Sequence, residues 1–380
     1  MKYILFGAGR IGDMCRTFLP MGGVECFVDN DVAKHNTYKS GIPVFSYYPD
    51  ALKGKWTIVS TSGQMATEIS CQLEEDGIYS YLLWDEIISL YSTSVPNFSA
   101  CINPDSGRDK EALLLKLKEI YSRCFMLYSV VVSLGQRCNF RCKNCGNMTP
   151  SAPKEVSVYS VEDICQWVET LLKEIPFIMH MQIQGGEPFL HPELEKILHY
   201  IGENKSIYRV VIATNGSIFP KQSVLDAIKK YRMDIRISDY GLVDMKVEKL
   251  YKLCKEMGIY VQYYQFAGDD GRWFDMGHES VPREQNDGMV KKRFSRCAFR
   301  NCLTLERGEL YHCSRSPNAH LIQGFDRKMS DCVRADAGIH VIKNYIREAH
   351  YMEACRYCYG TDKPIKLVAA EQKHAKEVEN

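Results

Sequence analysis

The sequence predicts an α/β protein with two parallel-sheet domains in one chain of 380 residues. Short apolar runs alternate with amphipathic stretches of helical spacing, the pattern that βα units leave in a sequence. That alternation occurs twice, over 1–95 and again over 125–289. In both stretches the chemically unusual residues fall in loops just after strands, where parallel sheets place their chemistry.

The first domain opens with the strand "YILF", the turn "GAGRIG" and a helical stretch. "VECFVDN", "GIPVFS", "WTIVSTSG" and "YSYLLWDEII" supply its further strands. A linker and helix are expected over 96–124, because "TSVPNFSACINPDSGR" (93–108) is rich in turn residues. "FMLYSVVVSLG" restarts the alternation as a buried strand. Ser160 can cap the next helix, in which Ile164, Trp167, Val168, Leu171, Leu172 and Ile175 recur at helical spacing. "FIMHMQIQ", "RVVIATNG", "MDIRISDYG" and "YVQYYQF" follow as strands, with helices between them. Residues 290–362 are cysteine-rich and less regular, and 363–380 form a charged tail with little to pack.

A formal net charge of +1 gives no electrostatic reason to expect nucleic acid or an anionic membrane as partner. No apolar run approaches the roughly 20 residues that span a bilayer. With no signal-peptide pattern at Met1 either, the expected location is cytoplasmic. Sixteen cysteines in a reducing compartment are not a disulfide framework. Cys254 falls on the apolar stripe of a helix with Val247, Leu250, Tyr251 and Met257, so it reads as a packed hydrophobe. Clustered cysteines are better candidates for metal.

"RCNFRCKNCGN" places Cys138, Cys142 and Cys145 within eight residues, after a strand. Closed zinc and iron–sulfur sites take four protein ligands. Three thiolates on one loop can hold three irons of a cubane and leave the fourth open to a small molecule. A zinc loop is the competing reading. The C-x3-C-x2-C spacing, followed by "GGEP" after the next strand, resembles the radical S-adenosylmethionine (SAM) superfamily. The resemblance implies a partial (β/α)6 barrel in which Cys138, Cys142 and Cys145 hold a [4Fe-4S] cluster whose open iron SAM chelates. It implies that Gly185, Gly186, Glu187 and Pro188 line the methionyl amino group, and that Thr214 and Asn215 of "ATNG" meet SAM. Ser238 and Asp239 of "ISDYG" match the ribose-contacting position. Two features depart from the family: Asn144 stands where an aromatic residue is common, and "YVQYYQF" lacks the usual glycine motif.

Behind such a barrel, Cys297, Gly308, Cys313, Cys355 and Cys358 look like a twitch subdomain, the shorter relative of SPASM. The resemblance implies that Cys297, Cys313, Cys355 and Cys358 hold one auxiliary [4Fe-4S] cluster. On spacing alone, "ACRYCYG" also suits a zinc knuckle. Cys302 and Cys332 are then spare, either as buried thiols or, for Cys302, as a hydrogen-atom donor.

At the N-terminus, Gly7, Gly9 and Gly12 form G-x-G-x-x-G straight after a strand, and Asp29 ends the next one. The domain resembles the small Rossmann-like domains of surface-polysaccharide enzymes. It is expected either to bind a nucleotide or nucleotide sugar or to serve as a scaffold. Together these resemblances imply a radical SAM dehydrogenase or epimerase acting on a carbohydrate-like small molecule or nucleotide sugar, with flavodoxin or ferredoxin as reductant. A peptide maturase and an NAD-dependent reductase with structural clusters are the alternatives.

Overall fold

The computed structural model describes residues 2–61, 63–84, 87–88, 114, 127–242, 246–266, 273–277, 282–347, 351–361 and 366–372. They fall into two compact units, Met1–Met126 and Leu127–Asn380. Apart from Leu114, the linker and helix expected over 96–124 lie outside the described residues.

In the first unit β1 (Tyr3–Phe6), β2 (Val24–Asp29), β3 (Thr37–Lys39), β4 (Ile42–Ser46), β5 (Thr57–Val59) and β6 (Tyr81–Leu83) form one sheet, ordered β3-β4-β2-β1-β5-β6. Its pairings are parallel except for the β3–β4 hairpin. The sequence did not reveal β3, because this short edge strand buries no side chain and so carries no apolar alternation. All four residues of β1 are buried, as befits a strand covered on both faces. On one face Ile4, Phe6 and Val28 pack with Ala66, Ile69 and Leu73 of the helix Gly63–Glu75. The helix Arg10–Phe18 buries Cys15 and Phe18, and the Phe18 ring meets Trp84 edge-on at 5.5 Å. Strand order reverses at β1, which puts the glycine turn at the switch point of the sheet.

In the second unit β7 (Leu127–Ser133), β8 (Ile178–Gln184), β9 (Ile207–Thr214), β10 (Asp234–Asp239) and β11 (Val261–Gln265) lie side by side and parallel. The helices Val161–Glu174, Leu194–Glu203, Gln222–Lys230 and Val247–Glu256 connect them. Ser160 Oγ accepts from Asp163 N at 3.1 Å and caps the first of these. Its Ile164, Val168 and Leu171 are fully buried, each contributing about 1.5–3 kcal/mol. Cys254 is fully buried in the last of the four helices.

The cysteine-rich segment does not stand apart from this sheet. After β12 (Trp273–Phe274), β13 (Thr304–Glu306) pairs parallel to β7. β14 (Glu309–Tyr311) and β15 (Val333–Arg334) then extend the sheet antiparallel. Tyr159 Oη donates to the buried Glu306 at 2.6 Å and fastens the hairpin to the preceding loop. The tail also differs from the sequence expectation. β16 (Lys366–Leu367) pairs with β12, and Ala369 and Ala370 are buried.

Candidate cysteine-lined sites

The three-cysteine loop leaves β7 and is held by backbone bonds to the loop that follows β8. Gly186 N donates to Gly135 O at 2.9 Å, and Glu187 N donates to Arg137 O at 2.8 Å. This contact explains the paired glycines. A Cβ on Gly186 would lie 2.2 Å from Arg137 O and 2.8 Å from the Cβ of Cys138. Gly186→Ala is therefore expected to destabilise the fold by about 1–3 kcal/mol and to lower iron retention at this loop. Thermal denaturation and iron assay check both, and wild-type values would contradict the packing argument. Asn144 adopts φ 53°, a left-handed conformation that Asn tolerates far better than an aromatic residue does. That accounts for one departure from the family pattern.

Cys138, Cys142 and Cys145 line one hollow of about 790 Å³, together with Gly185 and Gly186. Burial pushes the Cys138 thiol up to about 12, reinforced by the Glu187, Cys145 and Cys142 charges and opposed by Phe140 N, which donates to its sulfur at 3.4 Å. Burial likewise pushes Cys142 up to about 11, against a donated bond from Gln372 Nε2 at 3.3 Å. Burial thus disfavours the thiolates of Cys138 and Cys142 unless a cation meets them, and iron would supply one. Gln372 belongs to the tail, which crosses the loop: Lys143 N donates to Glu371 O at 2.6 Å, and Arg141 N to Gln372 Oε1 at 2.7 Å.

Thr214, Asn215 and Ser238 line the same hollow. Asn215 Nδ2 donates to Asn139 Oδ1 at 3.1 Å and lies 3.9 Å from Cys138 Sγ. Among the described residues, Glu187 and Pro188 do not line it. Glu187 is 2 % exposed and accepts from Thr214 Oγ1 at 2.8 Å, Asn215 N at 2.8 Å and Phe189 N at 3.1 Å. Burial raises its pKa to about 7 against the pull of these donors. It thus clamps the end of β9. Asp239 also stands outside the lining, accepting from Gly241 N at 2.9 Å and from Tyr263 Oη. The sequence reading missed Arg236, Tyr240 and Trp273, which join the lining. Arg236 was findable, because strand periodicity places it on the face of Ser238. It donates to Gln182 Oε1 at 2.6 Å.

Cys297, Cys313, Cys355 and Cys358 line a second hollow of about 450 Å³, beside Arg315 and Met276. Burial pushes Cys313 up to about 12 and raises Cys355 and Cys358 as well. Arg293 Nη1 donates to Cys355 O at 3.1 Å and Cys358 O at 2.7 Å, fixing the C-x2-C turn. Ser314 Oγ donates to Asn147 Oδ1 at 3.0 Å, so the two cysteine loops touch. Among the described residues, no three His, Cys, Asp or Glu side chains converge on a single ion site. The Arg315 guanidinium beside the four cysteines is buried. Cys302 stands outside this lining. Burial pushes its thiol up to about 11, with Arg236 pulling it down and Cys297 pushing it up, so it lies within electrostatic reach of both hollows. Cys332 sits elsewhere, against Glu309 and Arg327.

In the first unit Gly7, with φ +121°, and Gly12 pack closely, the latter's Cβ position lying 2.3 Å from Gly7 O. Gly9 faces open space. Asp29 accepts from Ala8 N at 2.7 Å, Asp31 N at 2.9 Å and Lys34 Nζ at 3.1 Å. Burial raises its pKa, but these partners outweigh burial and leave it below the usual range. The Asp29 carboxylate thus braces the glycine turn.

Comparison with known proteins assigns the region that carries the first hollow. The Radical SAM superfamily profile matches residues 132–238. The antilisterial bacteriocin subtilosin biosynthesis protein AlbA of Bacillus subtilis (strain 168) is 31% identical over 102 residues, 27% of this chain and 21% of that protein. The GTP 3',8-cyclase of Campylobacter lari is 33% identical over 94 residues, 24% of this chain and 28% of that enzyme. The match thus spans only 21% and 28% of the length of these relatives. A crystal structure of BtrN with AdoMet and 2-DOIA aligns with 64% of this chain and 98% of its own, at 15% identity and TM-score 0.41. No helix among the described residues is long and apolar enough to cross a membrane. Residues 132–238, with the three-cysteine loop at their start, are a domain of the Radical SAM superfamily.

Proposed function

We propose that the chain is a radical SAM oxidoreductase that reductively cleaves SAM to a 5′-deoxyadenosyl radical and oxidises or epimerises a carbohydrate-like small molecule or nucleotide sugar. One observation carries this reading: seven cysteines form two groups, three around one hollow and four around another. Cys138, Cys142 and Cys145 would hold a [4Fe-4S] cluster with one open iron, and Cys297, Cys313, Cys355 and Cys358 a closed auxiliary one. When bound, the first cluster and SAM supply radical chemistry; the chain supplies orientation and exclusion of water. Gly185, Gly186, Thr214, Asn215 and Ser238 shape the SAM hollow, and Arg236 places a cation in its wall. Reduced flavodoxin or ferredoxin is the proposed electron source. Oxidation is favoured over epimerisation because a closed auxiliary cluster offers the second electron an acceptor.

The test is turnover of the anaerobically reconstituted chain with SAM, reductant and candidate substrates in D2O. The expected result is 5′-deoxyadenosine and a product lighter by two hydrogens, with no solvent deuterium fixed at the reacting carbon. An inverted product carrying one deuterium would turn the reading to epimerisation. Cys302→Ala should then still form 5′-deoxyadenosine but lose the inverted product. No 5′-deoxyadenosine from a fully clustered sample would sink the reading altogether.

The match to the subtilosin biosynthesis protein supports a second reading, peptide maturation. The GTP 3',8-cyclase match is of similar length, so these matches speak for the shared domain rather than for a substrate. Mass spectrometry of molecules retained by the anaerobically purified chain separates the two, since a bound peptide would favour maturation.

A further inference from the structure

Arg315 is only 3 % exposed. Its Nη2 donates to Gly277 O, while Nε and Nη1 are buried with no hydrogen-bond partner. Among the described residues no carboxylate forms an ion pair with it. An unpaired guanidinium out of water is strongly disfavoured, and folds bury one where an anion meets it. The hollow beside it is lined by Cys297, Cys313, Cys355 and Cys358. The two other arginines of that lining are engaged elsewhere: Arg293 with the carbonyls of Cys355 and Cys358, Arg300 with Ser295 O.

The charges around Arg315 point the same way. Cys358, Cys313, Cys145 and Asp275 lie within electrostatic reach of it. Cys145 belongs to the other hollow, and the Ser314–Asn147 hydrogen bond brings its loop against the segment that carries Arg315. The backbone N–H of Arg315 also donates to the Cys313 sulfur. One residue therefore offers a cation, two free side-chain donors and a backbone donor to the four-cysteine hollow, on its side toward the three-cysteine loop.

We propose that Arg315 is the counter-charge of the auxiliary cysteine site, a positioning residue that offsets the negative charge of the cluster held there and so makes it a better electron acceptor. A cubane held by four thiolates is an anion and becomes one unit more negative on taking up an electron. Net charge, hydrogen bonds to sulfur and solvent exposure set such potentials. A fixed buried cation favours the reduced form, and its effect is greatest where water cannot screen it. The inference rests on the proposed function, because it requires iron at Cys297, Cys313, Cys355 and Cys358.

The experiment uses the full chain with Cys138, Cys142 and Cys145 replaced by Ala, so that only auxiliary iron remains. Arg315, Arg315→Lys and Arg315→Gln forms are reconstituted anaerobically and titrated with dithionite, the reduced cluster being followed by electron paramagnetic resonance. The Gln form should keep its iron but show about a tenfold lower reduced-to-oxidised ratio at a given potential, a midpoint about 59 mV lower for one electron. The Lys form should recover most of the shift. Equal midpoints in the Arg and Gln forms would overturn the proposal. If the Gln form loses its iron, retention of iron and midpoint by the Lys form supports the charge argument, and loss in both overturns it. Absence of auxiliary iron from the parent chain would sink the underlying reading, and this inference with it.

Discussion

Replacing Cys138, Cys142 and Cys145 together with Ala is expected to lower the iron of the anaerobically reconstituted chain from about eight to about four per molecule. SAM cleavage should fall to the level of a protein-free control. All three cysteines line one hollow, and among the described residues no other cysteine does, so the variant keeps no cysteine ligand there. The loop itself should persist, because its backbone is tied from both sides. Gly186 N and Glu187 N bind its start, and Glu371 O accepts from Lys143 N in its middle. Cys138 and Cys145 are only partly buried and Cys142 is buried, so loss of stability should be small. Iron assay, Mössbauer spectroscopy and chromatography of 5′-deoxyadenosine read the outcome. A wild-type chain holding one zinc and no iron would refute the assignment of both hollows.

The parts of this site that were legible in the sequence are those in which chemistry and chain proximity coincide. Cys138, Cys142 and Cys145 share a loop, and Gly185 and Gly186 sit at the end of a recognisable strand. Parallel strands declared themselves through buried apolar runs such as "VVIAT" in β9. Contacts between residues far apart in the chain were not legible. Gln372 reaches the Cys142 sulfur across 230 positions, and nothing in the charged composition around it signals that. β13 joins β7 through only two register pairs, too short a strand to announce a partner. Glu187 was read from its motif as lining the methionyl amino group. Its three donors, Thr214 Oγ1, Asn215 N and Phe189 N, were not legible in that motif. Arg315 follows Cys313 by two residues, yet only its burial and missing partners set it apart from any other arginine.

Cys355→Ala combined with Cys358→Ala is expected to leave uncoupled SAM cleavage within about a few-fold of wild type while product formation falls to background. The two cysteines line the second hollow and not the first, so their loss removes half of the auxiliary ligand set without touching the three-cysteine loop. A substrate radical would then have no neighbouring acceptor for its electron. Iron should drop from about eight to about four. Cluster binding also contributes folding energy, so the segment could unravel for that reason alone. The fold offers other anchors: Met352 is 2 % exposed, Ala354 and Tyr357 are buried, and the Tyr357 ring stacks on Phe325 at 4.7 Å. Arg293 binds backbone carbonyls of residues 355 and 358, which alanine retains. Circular dichroism and limited proteolysis should therefore report a folded chain. In such a chain, wild-type product yield would show that the auxiliary site accepts no electron, and its cysteines would then serve structure alone.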